Sequence, residues 1–539
     1  MTHPRFAVVF LAAVGIAAAP ACKAAKPRPV TPGEIEAHIR FLSDDLLEGR
    51  GLGSRGLALA ALYQASYLQS LGLEPVFDGG FRQPFDVKGV MPDGEASLEV
   101  FGDGGTLTPR RLDDFVIGTF REDAPEGVEG EIVYAGYLIQ APERSWDDIK
   151  GADLRGKVLL VEINEPENRP GGLFDGEEMT YYGRWTSKFE RAAALGATGC
   201  LIIHDTKGAA YGWGVVRNGW AVEQYVLPDV EQKLFFRGWL TGETAERVFA
   251  LAGRSRTELR AEAETSAFAP VPLGLSARVR QKPAFRSVPT ENVAARLRGR
   301  GRGHRRGTVI LSAHFDHLGR DETLAGDQVY NGAVDNCSAS ATMLALARYF
   351  AERPERLRVD LLFAAVTGEE NLFLGSDHFV RHLPVPKASV LANINFEMTN
   401  VWGETEDVFG IGAKHSDLDE ILAQAARNLK LTYTPERYGE LGFFFRSDQF
   451  SFARGGIPAV WLHHGVVSRG EDKGRAARAF ADYQATKYHK VTDEIGPDWD
   501  LGGAVQIARW AEEIVRLLGE RPAPPDFRPS SPFRRAGEE

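Results

Sequence analysis

The chain has 539 residues, 43% hydrophobic and 25% charged, the balance of an ordinary globular protein and too long for a single core. A formal net charge of −11 argues against nonspecific attraction to nucleic acid, which needs a positive surface. Apart from Cys22, the cysteines are Cys200 and Cys337, in segments that read as different domains, so no structural disulfide is expected.

In chain order, His3 and Arg5 precede an apolar run from Phe6 to Ala19 that is too short to span a bilayer and ends in small residues. Residues 1–21 therefore read as a signal peptide, and the mature protein is expected in the periplasm, at the cell envelope or outside the cell. Cleavage after Ala21 would leave Cys22 at the new amino terminus, which resembles the lipobox of bacterial lipoproteins. Ala19-Pro20-Ala21 lacks the usual leucine and fits ordinary signal-peptidase cleavage equally well, so both readings stand. A lipid on Cys22 is the one membrane attachment expected.

After a polar linker to Pro32, helical spacing of Ile35, Ile39 and Leu42 is followed by the Gly-rich loop Asp44 to Gly56 and a second helix from about Leu57 to Leu71. Short strands fill Phe81 to about Phe120. From Ala124 to Gly253 the texture becomes that of a separate α/β unit, with strands Glu131–Tyr134, Val158–Glu162 and Cys200–His204 and a helix from Trp185 to Leu195. It reads as an insertion between two parts of one domain, residues 32–123 and 254–520. The basic run Arg296 to Arg306 reads as a solvated hairpin tip between strands. Residues 521–539, Pro-rich and charged, are expected to be disordered.

The second part carries the chemistry. Val309 to Ala313 is a short uninterrupted apolar run, as in a strand covered on both faces, with His314 at its carboxyl end, where open α/β sheets hold ligands. Asp335 stands just ahead of a helix. The strand Val359–Val366 runs into Glu369-Glu370, Val390–Phe396 ends in Glu397, and His489 lies in KYHKVTDE. Several carboxylates buried together repel one another unless cations join them, and a mixed imidazole and carboxylate set suits zinc. Two ions sharing a water could clamp a hydrolytic transition state. Of the two adjacent glutamates, one must face metal and the other the water. His463 and His464 read as a strand-end pair rather than further ligands.

The motifs AHFDHLG, GAVDNCSAS, GEE, NINFEM, FRSDQFSFARGGIPAVW and YHKVTD together resemble the co-catalytic zinc aminopeptidases, relatives of glutamate carboxypeptidase and glutaminyl cyclase. The inserted segment MTYYGRWTSKFERAAALGATGCLIIH resembles the protease-associated domain of many members. The resemblance implies an α/β fold, a mixed and mainly parallel sheet sandwiched by helices, with the smaller α/β domain inserted. It also implies two Zn²⁺ per chain. Asp335 would bridge them, Glu370 and His489 would complete one site, His314 and Glu397 the other, and Glu369 would be the general base. A cis peptide after the bridging aspartate is implied as well. Asp316 and Asp493 look placed to accept the free ring N–H of ligand histidines. Many relatives have Asp where Glu397 stands and His where Gln449 stands. The implied activity is that of an exopeptidase on peptide substrates, first an aminopeptidase. A carboxypeptidase with the same metal cage and a noncatalytic binding protein of the same fold are the alternatives. Acids dominate around the motifs, which favours reading a free amino end, and the one nearby basic residue, Arg446, is expected to pair with Asp448.

Overall fold

Strand Thr308–His314 occupies the middle of a ten-stranded sheet, and every one of its residues is buried. Asp360–Val366 and Val390–Asn395 flank it in parallel, and Ala459–His464 continues the parallel set beyond Val390–Asn395. These strands are almost wholly buried because both faces are covered. The outer strands reverse direction: Ala284–Leu297 runs antiparallel to Asp360–Val366, Arg82–Met91 to Ala284–Leu297, and Asp407–Ile411 to Ala459–His464. Helices Pro32–Leu42, Arg55–Ser70, Ala339–Ala351 and Gly502–Glu520 form one packed group on this sheet, and Leu374–Arg381 with Gln449–Arg454 a second. Ala339–Ala351 is buried almost all round, as its nearly unbroken apolar sequence requires. The mixed, helix-flanked sheet expected from the sequence is therefore present.

This computed structural model describes residues 28–166, 172–176, 178–301 and 307–535. The expected signal peptide and Cys22 lie outside the described residues. Among the described residues no helix is long and apolar enough to cross a membrane. Cys200 and Cys337 are free and buried, each in a different core.

A second, eight-stranded sheet forms the other unit, and its limits differ from the expected 124–253. Ser97–Gly102, Gly105–Leu107 and Phe115–Gly118 belong to it, as does Val271–Arg280, which pairs with both Ser97–Gly102 and Gly127–Tyr134. The change of texture at Ala124 marks the approach to the parallel strands Gly127–Tyr134, Val158–Glu162, Gly199–Ile203 and Phe236–Leu240, not the edge of the unit. One strand of this segment, Gln224–Val226, joins the first sheet through Arg82–Met91 and ties the units together.

Two further expectations are corrected. The basic run does not tip a hairpin, because Asp360–Val366 lies between Ala284–Leu297 and Thr308–His314 in the sheet, and Arg296 and Arg298 both pair with Glu74. The tail is ordered against the protein through residue 535. The Asp526 amide donates to Asp417 Oδ1 at 2.8 Å, the Arg528 amide donates to the His415 carbonyl at 2.9 Å, and Phe533 is only 6% exposed among Phe444, Phe450 and Phe527. Its prolines and charges obscure the aromatic anchors that hold it.

Candidate metal centre

The carboxyl ends of the parallel strands deliver acids and imidazoles to one place. After Thr308–His314, the chain returns through Gly332, which adopts φ +58°; a Cβ there would lie 2.2 Å from the Asp335 carbonyl oxygen, so the turn admits only glycine. Asp335 follows, and its peptide bond to Asn336 is cis. Its two oxygens diverge: Oδ1 lies 3.3 Å from His314 Nε2 and Oδ2 lies 3.2 Å from His489 Nε2.

On the first side, His314 Nε2 is 3.3 Å from Glu397 Oε2, and Glu397 accepts hydrogen bonds from Ser447 Oγ at 2.7 Å and Asn336 Nδ2 at 3.4 Å. On the second, His489 Nε2 is 3.1 Å from Glu370 Oε2, and His317 Nδ1 is 2.6 Å from Glu370 Oε1. Two donor groups result, His314 with Asp335 and Glu397, and His317 with Asp335 and Glu370; within each, the candidate ligand atoms lie within 4.8 Å of one another. Gly368, at φ +66°, turns the chain at the end of Asp360–Val366 so that the adjacent glutamates separate. Glu370 enters the second group, while Glu369 Oε2 stands 3.9 Å from His314 Nε2.

Electrostatics follow from burial and this crowding. Burial alone would lower His314, but Glu397, Glu369, Asp316 and Asp335 outweigh it and raise its pKa well above the ordinary value. Burial would likewise lower His489, yet Glu370 and Asp335 raise it to about 10. Burial would raise Glu370, but His489 and His317 hold it at about 2. Burial would also raise Asp335, which His314 and His489 bring well below the carboxylate range. Glu369 moves the other way, raised well above its ordinary value by burial, with Glu370 and Glu397 adding to the effect.

Every expected ligand thus converges on Asp335, and the expected base sits beside them. The supporting acids behave differently from expectation. His314 Nδ1 lies 3.2 Å from the Asp316 main-chain oxygen and 3.6 Å from its carboxylate Oδ1, and that carboxylate accepts the Glu369 amide at 3.3 Å. Asp493 accepts no ring N–H. It accepts the amides of Val334 and Asp335 at 3.0 and 3.1 Å and the Tyr483 hydroxyl at 3.0 Å, so it holds the turn that carries Asp335. Arg446 does not pair with Asp448, because extended Ser447 separates the short helix ending at Arg446 from the helix beginning at Gln449, and the two side chains leave from different elements. Gln449 is fully buried, receives Asn395 Nδ2 at 2.9 Å and donates to the Phe444 carbonyl at 2.8 Å, a structural role. His463 and His464 lie within strand Ala459–His464, outside both donor groups.

One residue of the centre, His317, was passed over in the sequence. His317 stands three positions after His314 in AHFDHLG, and that spacing was its signal. Asp448, expected only as a partner of Arg446, is instead fully buried beside the centre, its carboxyl pushed up to about 7 by burial.

The donor set fits a metal. Carboxyl groups from Asp316, Asp335, Glu369, Glu370, Glu397, Asp448 and Asp493 crowd around the imidazoles of His314, His317 and His489, an excess of negative charge that hard or borderline divalent cations neutralise.

Fold and site together define a metallohydrolase. Residues 292–511, which contain the whole constellation, match the model of Peptidase family M28. Among solved structures, an aminopeptidase from Aneurinibacillus sp. strain AM-1 aligns with a TM-score of 0.52 at 20% identity, over 92% of this chain and 95% of its own, and shares the fold. A zinc aminopeptidase from Bacillus subtilis aligns at a TM-score of 0.42 and 16% identity over 91% of this chain and 95% of its own. A peptidase M28 precursor from Shewanella amazonensis aligns at 0.39 and 14% over 91% and 97%. No curated protein matches.

Proposed function

We propose that this protein is an exported, two-zinc aminopeptidase that releases N-terminal residues from short peptides. The observation that carries the reading is the single carboxylate of Asp335 shared between two imidazole and carboxylate groups, with a second, unshared glutamate beside them. Asp335, His314 and Glu397 would hold one ion, and Asp335, Glu370 and His489 would hold the other. His317 holds Glu370 through its 2.6 Å hydrogen bond. Asp493 fixes the main chain of Asp335, and Asp316 fixes that of Glu369.

When bound, zinc supplies Lewis acidity to a shared water and to the scissile carbonyl. Glu369 takes the water's proton and returns it to the leaving amine, the task of a carboxylate placed beside the ligands without being one. The surrounding acids favour a free ammonium at the substrate's amino end. Supporting this reading, the Aneurinibacillus protein of the same fold is an aminopeptidase. Export rests on the sequence of residues 1–21, together with the two readings of Cys22.

The test is hydrolysis of free-amine against N-acetylated peptides by zinc-loaded and metal-stripped protein. Cleavage confined to the free amine and to the metal-loaded form is expected. Equal cleavage of acetylated peptides would end the aminopeptidase reading, and equal cleavage by the stripped protein would end the metal reading.

A further inference from the structure

Helix Leu374–Arg381 starts just after the adjacent glutamates, its Leu374 and Gly375 amides donating to the Gly368 and Thr367 carbonyls at 3.0 and 2.8 Å. Its far end carries His378 and, at the cap, His382, spaced i, i+4 and therefore on one face. Facing them is Asp229, from the segment that leaves the first sheet after Gln224–Val226 and enters the second at Phe236–Leu240. Candidate ligand atoms of the three residues lie within 4.8 Å of one another. The helix is 8 residues long, about 12 Å, which sets this cluster apart from Glu370 and the centre.

Each member has a partner that orients it and leaves one atom free. His382 Nδ1 lies 3.0 Å from the His378 carbonyl, which can only accept, so in the neutral ring Nδ1 carries the proton and Nε2 keeps its lone pair. Asp229 Oδ1 accepts from Arg381 Nη2 at 3.2 Å, and Oδ2 is the oxygen turned to His382 Nε2, 3.9 Å away. The His378 ring lies flat against Phe85, with centroids 4.2 Å apart and planes 9° apart, and its centroid is 4.2 Å from that of His382. Burial and His382 lower the His378 pKa to about 4, so that ring is neutral at pH 7.

A separation of 3.9 Å is too long for a hydrogen bond between Asp229 and His382. It suits two ligands of one ion. Donors about 2.0–2.2 Å from a tetrahedral ion stand about 3.4 Å apart, and a shift of about 0.5 Å in partly exposed side chains closes the set. Two imidazoles and one carboxylate, with a side open to water, form a donor set for a borderline divalent cation, and the exposure of Asp229 and His382 gives it an entry path.

We propose that His378, His382 and Asp229 bind one Zn²⁺ ion that clips the connecting segment of the second unit to the helix leading away from Glu369 and Glu370. The units already meet on this helix through Arg454, which pairs with Asp377 at 2.5 Å and with Glu190 of helix Trp185–Ala194 at 3.0 Å. The ion adds a link that exists only when zinc is available, so the seating of the second unit on the helix follows zinc supply. The site does not depend on the aminopeptidase reading.

The test is equilibrium dialysis of the full chain against buffered Zn²⁺, read by atomic emission, for wild type, His378→Gln, His382→Gln and Asp229→Asn. Wild type is expected to hold one more zinc per chain than each variant. The difference is the reading, so it is independent of how many ions the centre takes. Near-UV circular dichroism checks that the variants are folded. Arg381→Gln, which leaves all three ligands in place, should keep the extra zinc with about tenfold weaker affinity. Hydrogen exchange supplies the second readout. At free zinc ten times its dissociation constant, Gln224–Val226 should exchange about tenfold more slowly in wild type than without zinc, a slowing absent from the three ligand variants. Equal zinc content in wild type and variants overturns the site. Exchange in wild type that zinc leaves unmoved overturns the clip without needing any variant. Extra zinc lost from the histidine variants but kept by Asp229→Asn also overturns it, because the ion would then sit on one unit alone.

Discussion

Glu162 in the second sheet and Asp335 beside the first are both buried carboxylates, and their surroundings could hardly differ more. Glu162 is gripped by Arg256 at 2.8 and 3.1 Å and receives the Tyr134 hydroxyl at 3.4 Å. Nearby Lys188, 1% exposed, donates to the carbonyls of Tyr137 and Asn164 at 2.6 and 2.7 Å, and Glu165 receives the Thr180 amide at 2.8 Å. Each charge in that cluster finds its partners within the chain. Around Asp335, acid crowds upon acid, and the groups that face its carboxylate are the imidazoles of His314 and His489. The comparison separates a cluster that completes a fold from one that is complete only with cations from outside.

The sharpest way to break this contrast is to remove the shared carboxylate. Asp335→Asn should cost both zinc ions and lower peptide hydrolysis by about a thousandfold or more, since metal assistance contributes several kcal/mol to such a reaction. Zinc content per chain by atomic emission, alongside hydrolysis rates, checks this, and a variant that keeps two zincs would show that Asp335 does not bridge them. Glu369→Gln separates base from ligand: zinc should remain, while turnover falls by at least about a hundredfold. Loss of zinc in that variant would move Glu369 into the ligand set.

Much of the centre was legible because each residue ends a strand or begins a helix, and local pattern reveals such ends. His314, Asp335, Glu370 and Glu397 come from segments whose apolar runs give the strand or helix away. The partners of Asp493 were not legible, because they depend on a loop returning to the amides of Val334 and Asp335 from far along the chain. The limits of the second unit were misjudged for a related reason. Ser97–Gly102 and Arg82–Met91 are both ordinary strands, and only pairing with Val271–Arg280 in one case and Ala284–Leu297 in the other assigns them to different sheets. Composition hid the ordered tail, where Phe527 and Phe533 are two aromatic anchors among prolines and arginines.

The closed cluster offers its own test. Arg256→Met leaves Glu162 buried and unpaired, and breaking a buried pair by removing one member typically costs about 3–5 kcal/mol. The loss should appear in the second unit, as faster hydrogen exchange in strands Val158–Glu162 and Gly199–Ile203, with zinc content unchanged. Exchange that rises equally in Thr308–His314 would mean that the two units unfold together.

The smallest expected effect concerns pH, and it carries opposite signs in the two units. In the first, burial holds His38 and His463 at about 4, below the ordinary histidine value, so both fold as neutral rings. A depressed pKa contributes stability that is present above the unfolded value of about 6.5 and is lost as pH falls toward the folded one. In the second unit burial raises Asp148 to about 6 and Glu165 to about 7. A raised carboxyl pKa means that the folded state holds its proton longer, so that contribution grows as pH falls toward the unfolded value of about 4. His204, also lowered by burial, subtracts from this gain without matching two acids. Acidification from about pH 7.5 to 5.5 should therefore strengthen the second unit, by on the order of 1 kcal/mol per group, while in the first unit the loss at His38 and His463 is opposed by Asp448 and Glu436, which burial raises to about 7. Release of zinc as its histidines protonate decides the sign in the first unit and weakens it. Hydrogen exchange resolved by segment reads both at once: protection should fall in Thr308–His314 and Asp360–Val366 while it holds or rises in Val158–Glu162 and Gly199–Ile203. A parallel fall in all four strands would show that the burial of Asp148 and Glu165 does not set the pH response of the second unit.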